Sequence, residues 1–241
     1  MNPANRVAEV TLSFWIMKIC ATTLGETAGD LVSMTLNVGY ALSSMILIGL
    51  FLATLTMQLG ARRFHPLLYW SVILSTSTAG TTISDYLDRS VGLGYTQGSL
   101  LLVACLAAVL AAWRVTEGTL SVNRIVTRRA EGFYWSAILV SNTLGTALGD
   151  FLADDSGLGF FGSAGLIAGL IGLVVVTRYR TSANRVLLFW LAFVLTRPFG
   201  ATFGDLLTKP VAQGGLDFGT VGSSAVLAGT LLLLIVLRPQ R

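Results

Sequence analysis

An aromatic residue followed by tryptophan occurs four times in 241 residues, at Phe14-Trp15, Tyr69-Trp70, Tyr134-Trp135 and Phe189-Trp190. A glycine stands ten residues beyond each tryptophan (Gly25, Gly80, Gly145, Gly200), and an aspartate fifteen beyond (Asp30, Asp85, Asp150, Asp205). No offset varies, so one structural unit is repeated four times. The motifs read GETAGD, GTTISD, GTALGD and GATFGD, and each is followed by a short connection and a Gly-aromatic or Asp-aromatic pair (Gly39-Tyr40, Gly94-Tyr95, Gly159-Phe160, Asp217-Phe218). Trp-to-Trp spacings of 55, 65 and 55 residues divide the chain into two halves, 1–122 and 123–241, of two repeats each.

The medium follows from composition: 54% of residues are apolar, 12% are charged, and the mean hydropathy is +0.74. A helix needs about 20 mainly apolar residues to cross a hydrocarbon core. Eight such stretches are expected, near 10–34, 38–59, 67–88, 95–113, 132–153, 160–177, 185–207 and 218–238. The first carries Lys18, Glu26 and Asp30 and no small-residue cleavage site, which reads as a retained helix rather than a leader. Cys20 and Cys105 share no metal or redox spacing and read as packing residues.

Basic residues alternate between connections. Arg6, Arg62, Arg63, Arg114, Arg124, Arg128, Arg129, Arg178, Arg180, Arg185, Arg238 and Arg241 fall on one side, whereas the alternate connections hold only Arg89 and Lys209. This is a positive-inside pattern with both termini cytoplasmic, and the net charge of +4 is a topology signal rather than a nucleic-acid footprint. His65 reads as a solvated loop residue.

Two spans per repeat return the chain to its starting side, so the repeats run parallel about an axis along the membrane normal. Polar residues sit in the first span of each unit, and the second spans carry no charge. Polar intramembrane residues face the bundle interior. The expected fold is therefore an all-α membrane protein of eight transmembrane helices, with an inner ring of polar first helices and an outer ring of apolar second helices.

Positions Trp+3, +7, +11 and +15 form one helical stripe. In repeat order the stripes read Lys18, Thr22, Glu26, Asp30; Ile73, Ser77, Thr81, Asp85; Ile138, Asn142, Thr146, Asp150; and Phe193, Arg197, Ala201, Asp205. The polar members form the candidate ion path. Asp30, Asp85, Asp150, Asp205 and Glu26 are the candidate ligands, because carboxylates suit hard cations such as manganese. Lys18 either snorkels toward the inside face or lines the path. Glu26 and Arg197 are each unique among the repeats, and they are expected to pair across the seam between repeats 1 and 4. Pro198 can kink the last inner helix. The small pairs Gly25/Gly29, Gly80/Ser84, Gly145/Gly149 and Gly200/Gly204 read as helix contacts, and the tryptophans as interface anchors.

The four aromatic-Trp starts and Gly-x-x-x-(Gly/Ser)-Asp motifs resemble a bacterial family of integral membrane proteins built from four tandem repeats of unknown function. The resemblance covers nearly the whole chain and implies a multi-pass inner-membrane protein. Gly-Glu-x-x-Gly-Asp in repeat 1 is also similar to the Glu-x-Gly-Asp motifs of some calcium and manganese antiporters. It departs by one residue in spacing, and Leu31 and Val32 stand where Lys-(Ser/Thr) follows in those proteins.

The expected function is secondary transport of a hard cation, a divalent metal or a coupled proton, with lipid and a small ion as partners and no cofactor. A channel or carrier for a small organic solute, in which Arg197 or Lys18 binds an anionic group, is the first alternative, and a non-transport membrane assembly or sensor protein the second. The sequence shows no His-Glu-x-x-His, Ser-His or cofactor fingerprint, so an enzyme is not expected. The oligomeric state is left open.

Overall fold

A computed structural model describes residues 7–61, 63–122, 125 and 127–237. The topology signals at Arg6, Arg62, Arg124, Arg238 and Arg241 lie outside the described residues. The described residues form eight long helices and no strand: α1 (Leu12–Asp30), α2 (Tyr40–Gly60), α3 (Pro66–Asp85), α4 (Gly94–Glu117), α5 (Arg128–Asp150), α6 (Gly159–Arg180), α7 (Arg185–Thr208) and α8 (Thr220–Leu237). Five of them, α2, α4, α6, α7 and α8, are long and apolar enough to cross a membrane. The other three carry most of the buried polar side chains.

Local chemistry sets where the first helices start. The side chains of Thr11, Thr127 and Asn184 accept hydrogen bonds from backbone N–H groups in the first turns of α1, α5 and α7, satisfying donors that a helix start leaves open. Pro66 opens α3, where a missing N–H costs nothing.

Their ends were not legible in the sequence. Directly after Asp30, Asp85 and Asp150 the helix widens into one π turn, closed by Leu36 N–H to Leu31 O (2.8 Å), Val91 N–H to Tyr86 O (2.8 Å) and Ser156 N–H to Phe151 O (3.0 Å). Repeat 4 has none: Pro210 forces Lys209 into an extended conformation (φ −72°, ψ 152°) and α7 stops at Thr208. The Gly-aromatic and Asp-aromatic pairs then re-enter the bundle. Gly39, Gly94, Gly159 and Asp217 all have φ between 57° and 80°, the left-handed region that explains why a glycine recurs there.

The first helices pack in cyclic order. Each Trp+10 glycine presses on the Trp+7 residue of the next repeat: Gly25 on Ser77, Gly80 on Asn142, Gly145 on Arg197, and Gly200 on Thr22. The Trp+14 glycines do likewise one turn on, Gly29 on Thr81, Gly149 on Ala201 and Gly204 on Glu26. The glycines are therefore the helix contacts expected of small residues at this spacing. Each second helix packs on the first helix of the following repeat: α2 on α3, α4 on α5, α6 on α7, and α8 on α1. The second helices turn large apolar side chains outward, such as Met45, Leu50, Leu101, Leu173, Val226 and Leu233.

The tryptophans correct the sequence reading. Trp70, Trp135 and Trp190 are at most 5% exposed and lie inside the bundle rather than anchoring its rim, while Trp15 is half-buried. Ring pairs run around the bundle: Phe14 with Trp70 (5.8 Å), Tyr69 with Trp135 (5.5 Å) and Phe189 with Trp15 (5.7 Å). Between repeats 3 and 4, Trp113 bridges Tyr134 and Trp190. Tyr69 Oη and Tyr134 Oη share a hydrogen bond at 2.6 Å, so the aromatic-Trp motif closes one end of the axis as a tight floor. Trp is large enough that filling this core outweighs its interfacial preference. Cys20 is buried as expected, whereas Cys105 is exposed rather than packed. Pro198 lies within an uninterrupted α7, and His65 is exposed.

Candidate functional site

The stripes of the four first helices meet on the axis in layers. At Trp+11, Glu26, Thr81 and Thr146 converge with Arg197, which reaches up from Trp+7. Arg197 Nη1 lies 2.9 Å from Glu26 Oε2, the pair expected across the seam. Its Nη2 donates to Thr81 Oγ1 (2.5 Å) and Thr146 Oγ1 (2.7 Å), and both hydroxyls stand within 3.3 Å of the same carboxylate oxygen. One guanidinium from α7 thus ties α1, α3 and α5 together. Charge-assisted bonds of this kind are about twice as strong as neutral ones, and here all four side chains are buried.

Below this layer, Asn142 Nδ2 donates to Thr76 Oγ1 (3.0 Å), and its Oδ1 faces Lys18 Nζ at 3.4 Å. Lys18 is 0% exposed and lies over the Phe193 ring, 4.2 Å from its centroid, so it does not snorkel. Thr22 and Ser77 belong to this layer but serve the helix seams. Thr22 donates to backbone carbonyls, including Thr196 O on α7, and Ser77 lies against Gly25.

The four Trp+15 aspartates lie at the opposite end, in two bridged pairs. Lys209 Nζ lies 2.8 Å from Asp30 Oδ2 and 3.1 Å from Asp205 Oδ1, the second contact pairing charge without hydrogen-bond alignment. Arg89 Nε lies 3.1 Å from Asp85 Oδ1, and its Nη2 lies 3.4 Å from Asp150 Oδ2. Burial works against both cations, but the aspartates more than offset it and hold each above its ordinary pKa.

The two bridging cations are the residues that sequence reasoning missed. Arg89 and Lys209 stand out as the two basic residues on the side that otherwise lacks them, and topology alone gives them no task. The signal was in the spacing: each stands four residues after its aspartate, one helical turn along the same face. The structure also divides the five candidate ligands. Glu26, Asp30 and Asp205 each present a carboxylate oxygen within 4.8 Å of one another, whereas Asp85 and Asp150 belong to the Arg89 bridge. Three hard oxygen donors at that separation can surround one small cation.

Comparison with known proteins places the repeat on firm ground. Residues 13–64, 68–119, 133–184 and 188–241 each match the family model described as Repeat of Unknown Function (DUF347). No curated protein and no solved structure matches the chain.

Proposed function

Because the chain belongs to the DUF347 family of repeats of unknown function, we propose its activity from its own geometry: it is a multi-pass membrane transporter of a small hard cation. All eight helices cross the bilayer in this reading, the polar first helices inside and the apolar second helices facing lipid. The axis lies along the membrane normal, and both termini are on the cytoplasmic side of a bacterial inner membrane. The halves 1–122 and 123–241 form one membrane body, since α4 packs on α5 and α8 on α1. It is not an enzyme, has no nucleic-acid partner and needs no resident cofactor.

The observation that carries the reading is the gathering of carboxylate oxygens of Glu26, Asp30 and Asp205 within 4.8 Å of one another, the two aspartates held by an ammonium of the chain itself and Glu26 by Arg197. Buried ion pairs add little net stability over apolar packing, and ionisable residues in a membrane interior mark transport paths. Lys209 stands in for the cargo when the site is empty, and an incoming divalent cation displaces it. The organic-anion reading has less support, because the ends of the Arg197 guanidinium are committed to Glu26, Thr81 and Thr146.

Two measurements test the proposal. In proteoliposomes, wild-type protein should move manganese or calcium, and Asp30→Asn with Asp205→Asn should reduce the flux to background. Equal flux in the double variant removes the site from the path, and no flux of any hard cation by wild type leaves the assembly reading. By calorimetry, Lys209→Met should bind manganese more tightly, about tenfold or more, because breaking each contact of a buried pair is worth more than 1.4 kcal/mol. Unchanged affinity would mean that Lys209 and the metal do not compete.

A further inference from the structure

Lys18 is the buried cation that the carboxylates leave unmatched. Lys209, Arg89 and Arg197 each lie within ion-pair distance of a carboxylate, but among the described residues no carboxylate oxygen comes within 4.0 Å of Lys18 Nζ. Its polar contact is one carboxamide oxygen at 3.4 Å, and its other neighbour is the face of Phe193. Packing does not require a lysine here, since the same Trp+3 position is Ile73, Ile138 and Phe193 in the other repeats. An ammonium with three donors, fully removed from water and given one acceptor, costs several kcal/mol. A neutral amine in the same place costs far less.

The charged surroundings deepen the contrast. Arg197 stands one helical turn beyond Phe193 on α7, next to the ring that Lys18 covers, and it is a like charge. Glu26 lies eight residues further along α1, about 12 Å of rise away, and is engaged by Arg197. From α3 the ionisable groups are Tyr69 at the aromatic floor and Asp85 at the far end; from α5, exposed Arg128 and Arg129 at its start, Glu131 and Tyr134 at the floor end and Asp150 at the far end; from α7, exposed Arg185 at its start, then Arg197 and Asp205; α8 carries none within Thr220–Leu237. Tyr69 and Tyr134 hydrogen-bond to each other, Asp85 and Asp150 share Arg89, and Asp205 pairs with Lys209. Glu131 accepts from Gln58 Nε2 at 3.3 Å.

We propose that Lys18 carries the coupling proton of the transport cycle. Resting on the cation-transport reading above, this assigns the coupling ion and its carrier. With the aromatic floor closed, Lys18 is a neutral amine. When the floor opens to the cytoplasm, the nitrogen lone pair takes a proton from hydronium, an N–H bond forming as an O–H bond breaks and water is left, and this creates the second positive charge beside Arg197. The like charges favour rearrangement of the axial layers, and the proton returns to water on whichever side then reaches Nζ. No electrons are transferred, and the amine is restored at the end of the cycle. Glu26, Asp30 and Asp205 remain the cargo ligands.

The chain has two lysines, Lys18 and Lys209, so 15N-lysine labelling of the full protein in nanodiscs gives two Nζ signals. The Lys209 signal should stay at the ammonium position across the pH range in which the protein is folded, whereas the other should pass between ammonium and amine positions within that range. Lys18→Met assigns it by removing it, and an apolar chain fits a position that is Ile or Phe elsewhere, so its thermal midpoint should not fall. Two ammonium signals throughout would overturn the proposal, as would an invariant Lys18 ammonium that shifts with added chloride, the mark of a bound anion instead. In proteoliposomes carrying a pH-sensitive dye, proton movement driven by a manganese gradient should be lost in Lys18→Met, and wild-type proton movement in that variant would also overturn it. The resonance titration needs no transport, so failure of the cation reading and failure of the proton assignment are separable.

Discussion

Arg197→Met should lower the stability of the purified protein by about 3–5 kcal/mol, the cost of leaving a buried charge without its partner. For a chain of this size that is a fall in thermal midpoint on the order of 10 °C. The cause is the convergence on Glu26 Oε2: Arg197 supplies its charge partner and also orients Thr81 and Thr146, so one substitution releases four helices from a common point. Glu26→Gln in the same chain should recover most of the loss, because a neutral carboxamide among two hydroxyls has no uncompensated charge. Thermal unfolding in micelles of both variants decides it. A single variant as stable as wild type, or a double variant no better than the single, would show that the pair does not hold the axis together.

Gly200→Ala tests the helix seams. Its new Cβ would stand 2.6 Å from Thr22 Oγ1 and 2.8 Å from the Thr22 backbone carbon, so α1 and α7 must separate. Gly80→Ala makes the same demand on α3 and α5, with the Thr143 backbone nitrogen 2.9 Å away. Overpacking of this kind costs about 1–3 kcal/mol. Gly49→Ala and Gly229→Ala provide the contrast, since nothing lies within 4 Å of a Cβ at either place. There the better helix propensity of alanine should add up to about 1 kcal/mol. If all four variants unfold alike, the glycines are not the contacts that set helix spacing.

How much of this was legible in the chain depends on the kind of signal. The seams were legible because a fixed four-residue step on a helix is a fixed face, so glycines at Trp+10 and Trp+14 had to meet something close. Glu26 and Arg197 were legible as a pair because each breaks the repeat and each needs the other's charge. Lys209 and Arg89 were not, because two cations on the basic-poor side read as exceptions to a topology rule, and the rule says nothing of which carboxylates they meet. The tryptophans misled for a similar reason: the side chain suits both a membrane interface and an aromatic core. The π turns left no trace, since they change hydrogen-bond partners by one residue without demanding a special residue type. Nor does sequence order show that each second helix packs on the next repeat: α2 and α6 have short connections to both neighbours, and α8 packs on α1 at the other end of the chain.

The two cationic bridges join repeat 2 to repeat 3 and repeat 4 to repeat 1, never the repeats within one half. Two copies of a half-length chain, related by a twofold axis, would make both bridges as one contact made twice. The centre obeys no such rule. A twofold pair would bring either two glutamates or none to Trp+11 and either two arginines or none to Trp+7, and like charges would then face each other across the axis. One Glu26 against one Arg197 is possible only where the two halves differ, which identical copies cannot do. A chain that carries both halves in one polypeptide combines a near-symmetric shell with a polar, directional interior.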